Sequence, residues 1–251
     1  MKLLYKLLNY FFKTTTKKEC HTILIGSNAY YRRLSPQNKK IFLTRTLIFL
    51  FTTNFDAKPG FVLTKKMKTI ISSAFVQITF GLNFHTLSTF KLIFITPVPY
   101  TYKHKEILMH GDVNLHTKRI NMVWPVVKKG FEISDDALNL AIHEFGHCLI
   151  FENAARSNFS RIFKKNAFIK WKKHAYKKYL KMKSNQSNVL REYAGSNLIE
   201  LFSVALEAFF EKPNYFYKHE PELYLSMAVL LNQDPRNKSN PLQLNKPRFK
   251  L

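Results

Sequence analysis

The segment Ala141-Ile142-His143-Glu144-Phe145-Gly146-His147-Cys148-Leu149-Ile150 constrains the fold more than any other part of the chain. It is apolar along nearly its whole length, so as a helix it must be buried, yet it carries three ionisable side chains that a core does not accept without partners. On a helix His143 and His147, four residues apart, share one face a turn apart, and both imidazoles can reach one ion. Glu144 lies about 100° around the helix, within reach of a water on that ion but badly placed to ligate the ion itself. Zinc suits such a set. It lowers the pKa of its water towards about 7, and a neighbouring carboxylate can take the proton as that water attacks a peptide carbonyl. Cys148 adjoins His147 but points off its face, so it reads as a small core residue.

Two histidines leave a tetrahedral zinc short of a protein ligand, with one further position open for water. Among the downstream acids, Glu152 is too close in sequence to fold back from the same helix. Glu200 and Glu207, seven residues apart, share one face of an otherwise apolar helix over 198–210. Two carboxylates on an apolar face call for a cation. Asn197-Leu198-Ile199-Glu200 is also a capping-box pattern, which would employ Glu200 without any metal.

The surroundings of this helix read as α+β. Ser35 and Pro36 open a helix that runs through 39–51, and a second spans 64–79 and ends near Gly81. Phe90 to Thr96 is a buried strand closed by Pro97 and Pro99, and Gly111 to His116 turns at Thr117-Lys118 and returns as Ile120 to Trp124, a hairpin. Because Pro125 follows directly, the returning strand is expected at a sheet edge, where Ile120, Met122 and Trp124 would add an extended peptide to the sheet. Ser134 or Asp135 is expected to cap the histidine helix. Further helices follow over the basic segment, over 197–210 and over 222–231, which gives helices around a modest sheet.

Composition closes off other classes. With 46% apolar residues in a chain of 251, disorder is excluded. No run of eighteen uncharged apolar residues exists, since Lys2 and Lys6 interrupt Met1 to Phe12 and Arg45 interrupts Ile41 to Phe51. The start is not read as a signal peptide, because charge falls inside its apolar stretch and no small-residue cleavage site follows. Cys20 and Cys148 imply no disulfide framework, and a cytoplasmic location is expected. The formal charge of +24 suggests an anionic partner, but Lys, Asn, Phe and Ile are abundant everywhere, which a compositional bias would equally produce. Arg161 to Lys183 concentrates ten Lys and Arg with no acid among aromatic residues, an amphipathic surface helix that could meet anionic lipid or nucleic acid, though such a face is more often simply solvated.

The string His143 to His147, then Tyr193, then Ile199-Glu200-Leu201-Phe202-Ser203-Val204-Ala205-Leu206-Glu207-Ala208-Phe209-Phe210-Glu211-Lys212-Pro213, and finally Asn232-Gln233-Asp234-Pro235, resembles the Mlc titration factor A family of zinc-dependent peptidases. It is also similar to the catalytic domain of the anthrax lethal factor. No Gly/Ser- or Pro-rich linker and no repeat divides the sequence, so 1–251 reads as one domain, and the resemblance, which runs from about Tyr30 to Pro235, implies that it is a zincin-like metallopeptidase. Within it, a helical part would reach to about 85, the sheet and zinc helix would occupy 86–153, the basic and third-ligand helices 154–235, and a short tail 236–251. It makes His143, His147 and Glu200 the ligands of Zn2+, Glu144 the general base and Tyr193 a donor towards the oxyanion. Glu207, deeper among Phe202, Leu206 and Phe210, then suits the role of accepting a hydrogen bond from a ligand imidazole. Where the family usually continues Leu-Asp after the second histidine, this chain has Cys148-Leu149-Ile150. The implied activity is hydrolysis of short peptides, from the amino terminus. The alternative is a regulatory protein that keeps the zinc site and sequesters a partner such as a transcriptional repressor.

Overall fold

The computed structural model describes residues 12–102, 107–157, 161–184 and 189–244; the amino-terminal stretch weighed above as a leader lies, except for Phe12, outside them. The first helices are α1 (Thr14–Ser27), the short α2 (Ala29–Arg33) and α3 (Pro36–Thr52). Ser35 caps α3 as its sequence suggests, its hydroxyl accepting from the Asn38 N–H at 3.3 Å with Pro36 in the first turn. Strand β1 (Asn54–Ala57) interrupts this helical third, and α4 (Lys65–Thr79) follows with Thr64 as its cap. A four-residue strand carries too little alternation to be seen in sequence.

Strands β2 (Leu92–Thr96), β3 (Gly111–Asn114) and β4 (Arg119–Val123) complete one sheet of order β1-β2-β4-β3. β1 and β2 are parallel, as are β2 and β4, while β3 and β4 form the expected antiparallel hairpin. The order corrects the expected edge. β4 is an inner strand, with Ile120 and Met122 wholly buried, and Trp124 is the first residue of helix α5 (Trp124–Glu132). Pro125 therefore ends the strand by opening a helix, a position where its missing N–H costs nothing. Among the described residues, the sheet edge nearest the histidine helix belongs to β3.

That helix, α6 (Leu140–Ala155), begins later than expected. Asn139 is its cap, its side chain accepting from the Ile142 N–H at 3.2 Å, while Ser134 and Asp135 lie in the preceding loop. Residues Ala141 to Leu149 are all buried, so α6 is the central helix of the fold. Phe145 packs edge-on against Phe49 of α3 and Phe75 of α4, with ring centroids 5.7 and 5.5 Å away. The chain continues through α7 (Lys165–Lys183), a short 3-10 helix (Glu192–Gly195), α8 (Leu198–Glu211), α9 (Pro213–His219) and α10 (Pro221–Leu231). α8 packs on α6 at Gly146, where a methyl group would stand 2.7 Å from Ser203 Oγ and 3.0 Å from Leu206 Cδ1. Only glycine permits that approach, and it carries Glu200 and Glu207 to the histidines. The fold is mixed α+β, mostly helical around a small open sheet. No helix among the described residues is long and apolar enough to cross a membrane.

Candidate metal centre

α6 and α8 bring His143, His147 and Glu200 together. The two Nε2 atoms are 3.1 Å apart, and Glu200 Oε2 lies 3.1 Å from His143 Nε2 and 3.5 Å from His147 Nε2. One ligand atom from each of the three residues fits within a 4.8 Å span. The remaining ring nitrogens are engaged behind them. His143 Nδ1 is 2.8 Å from Glu207 Oε1, and His147 Nδ1 is 3.2 Å from Ser203 Oγ. With Nδ1–H of His143 donating to Glu207, its Nε2 lone pair faces its neighbours, so nitrogen, nitrogen and carboxylate oxygen converge as acceptors. This donor set fits Zn2+. Without a cation, burial would lower the His143 pKa, but Glu200 and Glu207 outweigh it and hold the imidazole up; burial likewise opposes ionisation of Glu200, and the two imidazoles hold its carboxyl well below the usual range.

Glu200 sits in the first turn of α8, but the cap is Asn197, whose Oδ1 accepts from the N–H groups of Ile199 and Glu200 at 2.9 and 3.0 Å. The Glu200 carboxylate lies on the imidazoles. Glu207, 1% exposed, accepts from His143, from the Asn139 N–H at 2.7 Å and from the Arg191 guanidinium. It thus joins a ring nitrogen to the amino-terminal cap of the histidine's own helix.

Glu144 is buried, and its Oε2 has no hydrogen-bond partner among the described residues. Burial pushes its carboxyl up to about 8, with His143 opposing and Asp112, Glu200 and Glu207 adding to the rise. Oε1 lies where a side chain on Gly111 would be, 2.7 Å from an added methyl, so the first residue of β3 abuts this carboxylate. Tyr193, on the 3-10 helix and 53% exposed, has its ring centroid 6.0 Å from that of His143; burial and the Glu200 carboxylate push its phenol up to about 12. Ile120 and Met122 lie on the inner strand β4, where Met122 is paired with Gly111, and Trp124 opens α5, so none of the three is on a sheet edge.

Several residues that bear on the site carried no signal in sequence. Asp112 on β3 accepts from the hydroxyls of Tyr100 and Tyr102, the latter at 2.9 Å, and from Asn121 Nδ2 at 3.0 Å. An acid inside a short strand is the one cue that could have marked it. Arg191, Asn139 and Ser203 had none.

Two imidazoles and a carboxylate converging on a buried zincin-like helix, beside a carboxylate held without a partner, define the class of the metallopeptidases. The sequence profile of one such group matches residues 8–230. The chain belongs to the glucose-regulated metallo-peptidase M90 family, the Mlc titration factor A family of the resemblance above. It is also 24% identical over 210 residues to an uncharacterized protein of Synechocystis sp., covering 78% of this chain and 76% of that one.

Proposed function

We propose that the protein is a zinc-dependent peptidase acting on short peptides, as a single domain in a reducing cytoplasm. The observation that carries this is the partnerless Glu144 Oε2 buried beside the converging His143, His147 and Glu200. A carboxylate in that position has no structural use, and leaving it bare costs stability. Zinc, which His143, His147 and Glu200 would hold, would supply a Lewis acid there. Glu144, its basicity raised by burial, accepts the proton of the attacking water and delivers it to the leaving amine. Tyr193 keeps its proton near neutral pH and donates to the developing oxyanion. Glu207 fixes the tautomer and tilt of His143.

The free edge of β3, which begins against Glu144 at Gly111, would seat an extended substrate by strand addition. Action from the amino terminus rests on the family resemblance alone. The reduced compartment is supported by the unpaired, buried Cys20 and Cys148. A mixed peptide library, half of it amino-terminally acetylated, tests the reading on the zinc-loaded protein. Turnover confined to free amino termini and abolished by a chelator is expected. Absence of any turnover, with tight capture of a protein partner that persists in Glu144→Gln, would replace it with the sequestering alternative.

A further inference from the structure

Away from the metal centre, the described residues enclose a cavity of about 1120 Å³ between α3, the turn after α4, the segment leading into α7 and the end of α10. None of its lining residues belongs to the metal centre. Its inner wall is apolar, with Phe80, Leu82, Phe163 and Leu230 all buried. Its exposed rim carries Lys40, Arg161, Lys164 and Lys165, and no Asp or Glu is among the described residues that line it. The wall is held in place from behind: the Arg45 guanidinium donates to the carbonyls of Thr79, Phe80 and Phe84, each at 2.8 Å. A pre-formed apolar chamber of this size with cations at its mouth is a ligand site in form, since the ligand pockets of proteins run to roughly 1,000 Å³ and combine apolar walls with a few placed polar groups.

We propose that this cavity binds an anionic amphiphile, an unbranched alkyl chain ending in a carboxylate or a phosphate. The chain replaces water against the buried apolar wall, and the head group stays at the rim among the lysines and Arg161. The charge pattern decides between occupants of similar size. A cationic amphiphile would place its head among like charges, and a neutral one would leave the rim unused. A compact anion without an alkyl chain would bind only at the rim, weakly and with strong salt dependence.

The test is calorimetric titration of the full-length, zinc-loaded protein with octanoate, dodecanoate, dodecyl phosphate, inorganic phosphate and dodecyltrimethylammonium, all below their micellar concentrations. Each methylene buried strengthens binding about fourfold, so dodecanoate is expected to bind on the order of 100-fold more tightly than octanoate. Dodecyl phosphate measured against dodecanoate reads which head group the rim prefers. Reversing the exposed Lys40, Lys164 and Lys165 to Glu is expected to weaken dodecanoate about tenfold or more. Ile41→Trp, which narrows the chamber, is expected to weaken dodecanoate. Equal affinity for the two chain lengths, equal affinity for the cationic amphiphile, or binding indifferent to the charge reversal would each overturn the proposal. So would the absence of any binding. Should Ile41→Trp fail to fold, the charge-reversed protein, altered only at exposed positions, still decides.

Discussion

Glu207→Gln separates a ligand from the residue that positions a ligand. Glu207 is buried and uses both oxygens: Oε1 for His143 Nδ1 at 2.8 Å and for Arg191, Oε2 for the Asn139 N–H at 2.7 Å. The amide keeps the shape but has one acceptor oxygen where three donors meet. Whichever way it turns, its NH2 faces a donor and at least one N–H loses its acceptor, at about 1–3 kcal/mol each. The lost negative charge also makes His143 a poorer donor to metal. Losses of this kind lower metal affinity about 10- to 100-fold, or about 1.4–2.7 kcal/mol. Glu200→Ala removes one of the three proposed ligands and should empty the site under the same conditions. Competition against a chromophoric zinc chelator at fixed pH, with circular dichroism to confirm folding, measures both. If Glu200→Ala binds zinc with native affinity while Glu207→Gln does not, the assignment is reversed and Glu200 belongs to its helix start alone.

Other perturbations probe the remaining roles. Glu144→Gln should retain zinc and lose peptide hydrolysis by about 100-fold or more, because the amide cannot accept a proton; metal loss equal to that of His143→Ala would argue against a base. Tyr193→Phe should lower kcat by about 100- to 1,000-fold with KM and melting temperature little changed, since the residue is more than half exposed; a KM effect alone would make it a binding contact. Gly111→Ala places a methyl 2.7 Å from Glu144 Oε1 and from Leu140 Cδ1, so hydrolysis should fall about tenfold to 100-fold with zinc content unchanged, read by metal analysis beside the rate. Asp234 is distant in role: against burial, Arg236 and Tyr224 hold its carboxyl below the usual range. Its contribution is thus present above the unfolded value of about 3.9 and lost as pH falls through the lower folded one, so Asp234→Asn should cost about 2 kcal/mol in urea unfolding at pH 7 and progressively less below pH 4.

What could be read from the sequence was what local chemistry decides. Ser35 with Pro36 names its helix because a cap acts within three residues. The hairpin of β3 and β4 shows in its alternation. Pro125 was misleading because a proline after a strand fits an edge and a helix start equally well, and only the pairing of β4 with both β2 and β3 decides. Asn139 was passed over for Ser134 and Asp135 for a related reason. Its advantage is tertiary: Glu207 holds its N–H, while Gly130 O and Glu211 hold its amide at 2.9 and 3.1 Å. Capping preference ranks the three residues nearly equally, so the contacts from α5 and α8 choose among them.

The metal centre was legible for a different reason, which lies in the scarcity of acid. The chain has 16 Asp and Glu against 40 Lys and Arg. Yet Asp112, Glu144, Glu200, Glu207 and Glu211 gather around the single helix α6, where burial and one another's charge push Glu144 and Glu211 each up to about 8. A compositional bias towards Lys and Arg cannot produce that, because it dilutes acids everywhere alike. Bringing like charges together in a low-dielectric interior is unfavourable unless positive charge is held among them. Arg191 supplies some at Glu207, while the groups that Glu200 meets among the described residues are the imidazoles of His143 and His147. A divalent ion between those imidazoles and Glu200 relieves the remainder. The basic composition that obscures the purpose of the surface therefore makes the interior site easier to recognise.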